Sequence, residues 1–258
     1  MSAPPGAAAL LGDALPLAER YALLLTGPGV ERGLIGPAEA GRIWDRHILN
    51  CAVVAELVPD RCVLADLGSG AGLPGIILAM LRPEAEVTLI EPMARRVAFL
   101  DECVAELGLE RVRVVRGRAE DLAGEVRADI VTARAVAPLD KLAGWAVGLA
   151  RPGGTVLAIK GASARDEVAA AAGALRQLGI RDVAVLEVGS DKVGQPATVV
   201  RFAAPRRPSR GQPTAGRRRG GRRVAQRAAP ARASSARARR SAGGSEAGGT
   251  AQGRRDDG

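Results

Sequence analysis

A glycine-rich segment, DLGSGAGLPG at residues 66–75, has the residue types and spacing that most directly suggest chemistry. It follows the apolar run CVLA, and glycine, which lacks a Cβ, lets a chain turn sharply and lets a ligand touch the backbone. The frame GAGLPG inside it matches the GxGxxG pattern of dinucleotide-binding loops. However, Pro74 stands where that pattern opens its helix, and Asp66 stands two residues before the first glycine. The segment therefore indicates a bound cofactor and leaves its kind open.

A second frame of the same loop includes the acidic residue. The pattern D-x-G-x-G-x-G begins at Asp66 and includes Gly68, Gly70 and Gly72. It resembles the loop of S-adenosyl-L-methionine (SAM) sites, where an acidic residue lies close to the positively charged methionine end of the cofactor. Glu91 ends the next apolar run, EVTLIEP, where a carboxylate is well placed to accept hydrogens from both ribose hydroxyls. That feature is shared by NAD and SAM sites, so it supports a nucleoside cofactor without choosing between them.

A third segment, GRAED, follows the next apolar run. Ala119 and Glu120 in it are predicted to lie over the adenine edge, where methyltransferases often carry a small residue beside an acid. With the glycine loop and Glu91 in the expected order, the set favours SAM as the cofactor.

The acceptor of a methyl group is approached by elimination. Where adenine-N6 enzymes carry a D/N-P-P-Y/F motif, this chain reads TARAVAP, without an aromatic residue to stack on a base. None of the three cysteines follows the fourth predicted strand, so a pyrimidine-C5 mechanism lacks its nucleophile. An acceptor that is already nucleophilic fits best, because it needs only in-line positioning and exclusion of water. Guanine N7 is one; a small-molecule nitrogen or oxygen is another.

Alternating apolar runs and amphipathic segments must position these residues. Such alternation predicts a parallel sheet covered by helices on both faces. The last two runs have no helix between them, which predicts a hairpin and one antiparallel strand. The fold class is therefore α/β, in the Rossmann-like arrangement of class I SAM-dependent methyltransferases. We predict strands at 62–68, 86–92, 111–117, 128–135, 153–161, 182–189 and 197–204, and helices at 73–82, 93–108, 138–151 and 164–179.

Three regions divide the 258 residues. Residues 1–60 are predicted to form an N-terminal helical region, with residues 1–15 loose and helices at 17–27 and 36–58, the second broken in its middle. Residues 61–204 are predicted to be the SAM-binding core. Residues 205–258 hold 15 arginines and three acidic residues, with few large apolar side chains. This tail is predicted to be disordered and is a candidate for sequence-independent RNA binding.

Composition excludes several classes of protein. The three cysteines show no CxxC spacing, which argues against a disulfide framework and a metal site. The N-terminus has no basic region followed by an apolar core, and no apolar run is long enough to span a bilayer. We expect a cytoplasmic, monomeric protein without a membrane or metal partner.

Five segments together resemble the RsmG family, the bacterial guanine-N7 methyltransferases of small-subunit rRNA, also called glucose-inhibited division protein B. The resemblance covers roughly residues 15–203, in the right order throughout. The most distinctive pieces are RHIL in the N-terminal region and GLPG after the glycine loop. The segments are WDRHILNCAVV (44–54), DLGSGAGLPGIILA (66–79), RGRAED (116–121), TARAVAPLDKL (132–142) and LAIKG (157–161).

The resemblance implies direct methyl transfer from SAM to N7 of a guanine in 16S rRNA (guanine-527 type, in the 530 loop), with the rRNA or the 30S subunit as partner. It implies that SAM contacts Gly68, Leu73, Ala119, Glu120 and Arg134. No catalytic residue is assigned. Candidates for substrate positioning are Arg134, whose guanidinium can pair with the SAM carboxylate or a phosphate, Lys160 and His47.

One departure and two rival hypotheses remain. Many relatives read RHILDS where this chain has RHILNC, which puts in doubt any polar role for Asn50 and Cys51. A small-molecule SAM methyltransferase would carry the same cofactor loop. A regulatory protein that binds SAM without turnover would carry it as well.

Overall fold

The computed structural model describes residues 2–206 of the chain. The predictions made for the arginine-rich tail concern residues outside this range, apart from Pro205 and Arg206. Within residues 2–206, no helix combines the length and apolar character needed to cross a membrane.

A seven-stranded sheet forms the centre of the structure, in the order β3-β2-β1-β4-β5-β7-β6. β7 runs antiparallel to both of its neighbours, and the other pairs are parallel. This arrangement confirms the predicted fold class, including the terminal hairpin. The strands are β1 (Val63–Leu67), β2 (Glu86–Glu91), β3 (Val112–Arg116), β4 (Ala128–Arg134), β5 (Ala150–Lys160), β6 (Val183–Val188) and β7 (Ala197–Ala203).

Helices precede the sheet and then alternate with its strands. Pro28 and Pro37 each occupy the first helical position, where the missing N–H costs nothing. The α-helices are α1 (Ala7–Leu11), α2 (Leu15–Thr26), α3 (Pro28–Glu31), α4 (Pro37–Ala40), α5 (Asn50–Ala52), α6 (Gly75–Leu81), α7 (Ala94–Glu106), α8 (Leu139–Leu149) and α9 (Ala164–Gln177).

Each strand sends successive side chains into two different apolar layers, because side chains alternate across a strand. Leu64 and Leu89 pack in one layer with α2, α6 and α7, whereas their neighbours Ala65 and Ile90 pack in the other with α8 and α9. Both layers are mostly aliphatic, in keeping with an aromatic content of 2%. The sheet is thus buried on both faces, as the continuous apolar runs predicted.

The N-terminal region corrects one expectation. Residues 1–15 were expected to be loose, but they form α1 and a 3-10 turn at Gly12–Ala14. Ala7, Leu11 and Ala14 are buried, and their spacing of four and three residues places them on one side, facing the core. Two of these three buried residues are alanines, whose small side chains give only a weak apolar pattern in the sequence.

The segment predicted as a broken helix at 36–58 is helical and changes type along its length. After α4 it continues as a π-helical turn at Ile43–Leu49, then α5, then a 3-10 turn at Val53–Leu57. A π-helical turn inside a helix is rare and often lies at a functional site.

Gly75 at the start of α6 tests how tightly the core packs around the glycine loop. A Cβ there would stand 2.4 Å from Leu89 Cδ2 and 2.7 Å from Asp66 Oδ2, so Gly75→Ala should destabilise the fold by about 1–3 kcal/mol. The matched control is Gly173→Ala in α9, where no atom lies within 4 Å. It should stabilise by up to about 1 kcal/mol, since alanine is the better helix former. Urea denaturation measures both, and equal stabilities would contradict this account of the packing.

Candidate active site

The predicted site residues come together at one edge of the sheet. Asp66, Glu91, Arg134 and Lys160 lie at or near the carboxyl ends of β1, β2, β4 and β5. β1 and β4 are neighbours, with β2 and β3 on one side and β5 on the other, so the strand order reverses between them. Ligands of open α/β sheets bind at such a point.

The glycine loop leaves β1 in a conformation that glycine favours. Gly68, Gly70 and Gly72 have φ angles of 68°, 60° and 99°, in the left-handed region. A Cβ on Gly68 would also stand 2.8 Å from a methyl group of Val136, in the segment after β4. Gly70 differs, because its nearest contact would be 3.9 Å away. Of these three glycines, Gly70 therefore borders the open side of the loop.

Gly72 faces the protein interior. A Cβ there would stand 2.4 Å from Ile76 Cδ1 and 2.7 Å from the hydroxyl of Tyr21. Tyr21, on α2, is fully buried, and its hydroxyl donates to the carbonyl of Ala71 at 2.6 Å. Burial raises the pKa of Tyr21 well above 10.0, so it remains a donor. Sequence reasoning missed this residue, whose one visible signal is that it is the only tyrosine of the chain.

Asp66 lies beneath the loop and is fully buried. Its Oδ2 accepts from the Gly75 N–H at 3.2 Å, and its Oδ1 accepts from the Thr132 hydroxyl at 2.8 Å. Burial raises the pKa of Asp66 to about 6. In a dinucleotide site, the N–H groups at the start of the corresponding helix bind a pyrophosphate. Here the Asp66 carboxylate accepts the N–H of Gly75, at the start of α6. A negatively charged pyrophosphate would be repelled, which argues against a dinucleotide cofactor.

Glu91 is a second buried carboxylate, on the other side of the loop. It is 1% exposed, accepts from the N–H of Gly70 and of Met93 at 3.0 Å each, and lies 3.7 Å from Arg96. A carboxylate offers about four lone-pair positions, so Glu91 retains acceptor capacity beyond these two hydrogen bonds. It therefore joins the loop to the end of β2.

Three other predicted cofactor residues differ in exposure. Leu73 is 9% exposed and packs in the apolar layer that contains α2 and α6. After β3, Ala119 is buried at 5% exposure, and Glu120 is exposed. The N–H of Gly117 donates to the Glu91 carbonyl at 3.3 Å, which ties this segment to the end of β2.

Arg134 points its guanidinium at the N-terminal helical region. It donates to Cys51 Sγ at 3.1 Å, to the Arg46 carbonyl at 3.2 Å and to His47 Nδ1 at 2.7 Å. Burial raises the pKa of Cys51, so its thiol stays neutral. All three acceptors are uncharged, and within residues 2–206 no carboxylate oxygen lies within 4.0 Å of Arg134. Among the residues that the structure describes, its guanidinium therefore has no ion-pair partner.

His47 and Asn50 lie on this helical segment and are both engaged. His47 is 12% exposed, and its Nε2 is 2.9 Å from a carboxylate oxygen of Glu39. Asn50 Nδ2 donates to the carbonyls of Gln195 and Pro196, in the segment between β6 and β7. The departure from the family pattern at Asn50 and Cys51 thus leaves both residues with polar contacts.

Lys160 is held by the protein. Its Nζ donates to the Ala137 carbonyl at 2.9 Å and to a carboxylate oxygen of Glu167 at 2.7 Å, and its side chain is 9% exposed. The ion pair neutralises the charge of this candidate for substrate positioning.

An open groove of about 880 Å³ lies against the carboxyl ends of β4 and β5. Its wall includes Arg42, Arg46, Arg134, Lys160 and a single acidic residue, Glu167. Because Lys160 pairs with Glu167 and Arg46 Nε lies 3.4 Å from Glu39 Oε2, the net positive charge of the groove comes from Arg42 and Arg134. Within the described residues, no group of three or more His, Cys, Asp or Glu side chains has the geometry of a metal site.

Comparison with known proteins agrees with this geometry. The profile of the family described as rRNA small subunit methyltransferase G matches residues 14–194. The chain belongs to this family. The resemblance found in the sequence is thereby confirmed.

Two relatives in the family share more than half of the aligned residues with this chain. The chain is 56% identical over 192 residues to ribosomal RNA small subunit methyltransferase G of Thermobifida fusca, covering 74% of this chain and 81% of the relative. It is 55% identical over 214 residues to the protein of that name from Mycobacterium sp. (strain JLS), covering 81% of this chain and 93% of the relative. A crystal structure of a SAM-dependent O-methyltransferase from Thermotoga maritima matches with a TM-score of 0.52 at 15% identity. The match covers 66% of this chain and 71% of that one, and it shows the shared fold.

Removing the Tyr21 hydroxyl tests whether α2 supports the glycine loop of this family member. Tyr21→Phe keeps the ring but leaves the buried Ala71 carbonyl without its donor, which should cost about 1–3 kcal/mol of stability. The control is Thr26→Val, which removes a hydroxyl that bonds only to the Ala22 carbonyl of its own helix. Urea denaturation should show a markedly larger loss for Tyr21→Phe. If that variant is as stable as the control, the hydroxyl does not support the loop.

Proposed function

We propose that the chain transfers a methyl group from SAM to N7 of a guanine in 16S rRNA. Membership of the rRNA small subunit methyltransferase G family supports SAM-dependent methylation of small-subunit rRNA. The choice of guanine N7 rests on the sequence resemblance and on the chemistry of the groove. That chemistry is a positively charged wall in which, among the residues 2–206, no base is free to remove a proton.

The residues around the glycine loop suit SAM. Its sulfonium carries a positive charge, and two buried carboxylates, Asp66 and Glu91, stand on either side of the loop. The spare acceptor capacity of Glu91 fits the two hydroxyls of a ribose. The open side of Gly70 lies next to Glu91, so a ligand can approach the backbone there. We therefore assign the cofactor to the loop and the ends of β2 and β3, with Asp66, Gly68, Gly70, Gly72, Leu73, Glu91, Ala119 and Glu120 as its site.

Arg134 connects this site with the groove. Because neutral acceptors hold its guanidinium, the cation retains its full attraction for an anion. A SAM carboxylate and a nucleotide phosphate are both anions of suitable geometry. We place Arg134 in the role of orienting the cofactor or the nucleotide at the boundary between them.

The ionisable groups that line the groove support this acceptor atom. Glu167 accepts a hydrogen bond from Lys160, and the remaining ionisable groups of the wall are arginines. His47, which is bonded to Arg134 of the wall, has both nitrogens engaged. Guanine N7 has a lone pair and no proton to lose, so it needs no general base. Bound SAM supplies an electrophilic methyl group, and the protein holds the two reactants in line and excludes water.

The direct test uses the full-length chain with 30S subunits whose 16S rRNA lacks the modification. With SAM labelled in its methyl group, nucleoside analysis by mass spectrometry should detect labelled 7-methylguanosine. Arg134→Ala should lower kcat/KM by about ten- to hundredfold, as expected for loss of a charge-assisted contact. Arg176→Ala, an exposed arginine of α9 away from the groove, is the matched control and should behave like the wild type.

The outcomes separate the rival hypotheses. Methylation at another atom of the rRNA would contradict the assignment of guanine N7. Transfer to a small molecule and not to RNA would favour the small-molecule hypothesis. SAM binding without turnover on any rRNA substrate would favour a regulatory role.

A further inference from the structure

A chain of three side chains links the end of β4 to α4. Arg134 Nη2 lies 2.7 Å from His47 Nδ1, and His47 Nε2 lies 2.9 Å from Glu39 Oε2. The three residues come from β4, the π-helical turn and α4, so only the folded chain brings them together. His47 is the only histidine of the protein.

The chemistry of Arg134 fixes the protonation state of His47. A guanidinium has only donors, so the Nδ1 atom facing it must carry a lone pair. Nε2 must then carry the hydrogen, which it donates to Glu39. Neutral His47 thus satisfies both partners at once. A doubly protonated imidazole would point an N–H at the N–H of Arg134 and add a like charge beside it.

The backbone next to Arg134 also indicates that its direction is imposed. Ala135 has a φ of 54°, in the left-handed region that residues with a Cβ avoid. Such a conformation persists where surrounding contacts determine it, and it is common at binding sites. Hydrogen bonds from Arg134 to Cys51, Arg46 and His47 are contacts of this kind.

We propose that His47, oriented by Glu39, is a positioning residue that holds Arg134 at the mouth of the groove, and that protonation of His47 releases Arg134. This inference rests on the proposed function, in which Arg134 orients the cofactor or the nucleotide. It gives His47 a role exerted through Arg134, without contact between His47 and RNA.

The charges around His47 set the pH at which release occurs. Burial lowers the pKa of His47 below 6.5, and Arg134 and Arg46 lower it further, whereas Glu39 opposes them. The neutral, bonded form therefore prevails at neutral pH and is lost as the pH falls below 6.5. Asp66 titrates in the same range, so variants are needed to assign the effect.

The experiment measures kcat against pH at saturating SAM and 30S subunits, using chain without a polyhistidine tag. Wild-type activity should fall as the pH is lowered. The pKa of this acid limb should equal the pKa of the His47 imidazole measured by NMR in the same complex. In His47→Gln an amide oxygen still accepts from Arg134 but cannot titrate, so the acid limb should disappear or move to lower pH. In Glu39→Gln the limb should also move to lower pH, because the group that raises the pKa of His47 is gone.

Two further variants complete the design. His47→Ala removes the acceptor and should lower kcat about ten- to hundredfold at pH 8, and its difference from the wild type should shrink as the pH falls. Glu106→Gln, on α7, breaks an exposed ion pair with Arg20 of α2; it is the matched acidic control and should keep the wild-type acid limb. Thermal unfolding of each variant shows that it is folded.

The failures are distinguishable. Wild-type chain that forms no 7-methylguanosine at pH 8 overturns the proposed function itself. Wild-type activity with an unchanged acid limb in both His47→Gln and Glu39→Gln overturns the positioning role alone. An imidazole pKa that differs from the kinetic one overturns it as well.

Discussion

The structure of the site depends on two carboxylates buried under one glycine loop. Asp66 and Glu91 have almost no contact with solvent, and each accepts a backbone N–H from the loop or from the helix that follows it. A buried charge is costly unless it is hydrogen-bonded, so the loop must stay close to both carboxylates. The same two groups make the loop unsuitable for a pyrophosphate and suitable for a cationic cofactor. The burial of these two carboxylates therefore constrains the shape of the loop and supports the proposed cofactor site.

The N-terminal helices support both halves of the site. Through Tyr21, α2 bonds to the glycine loop, and through Cys51, Arg46 and His47 the later helical segment bonds to Arg134. Residues that precede the sheet thus fix the loop after β1 and the side chain at the end of β4. This region also contributes Arg42 and Arg46 to the groove, so the N-terminal helices contact the proposed cofactor side and form part of the proposed substrate side.

Local signals predicted much of this arrangement. Apolar runs, glycine spacing and an acid after the second strand depend only on neighbouring residues. They predicted a mostly parallel sheet, the hairpin with its antiparallel strand, the loop and the position of Glu91 at the end of β2. Contacts between distant residues gave no such signal. The Tyr21–Ala71 bond joins residues 50 apart, and Lys160, a candidate for substrate positioning, pairs with Glu167 on the next helix. Burial of residues 7–14 was missed because its apolar side consists mainly of alanines.

The central claim is that the edge formed by Asp66, Glu91 and the glycine loop is the SAM site, and calorimetric titration of SAM tests it most directly. Glu91→Gln replaces an acceptor pair with one acceptor and one donor, so it should weaken SAM binding tenfold or more, equivalent to about 1.4 kcal/mol or more. Glu84→Gln, an exposed acid near the amino end of β2, should bind SAM like the wild type. Equal SAM affinities for a folded Glu91→Gln variant and the wild type would contradict the account.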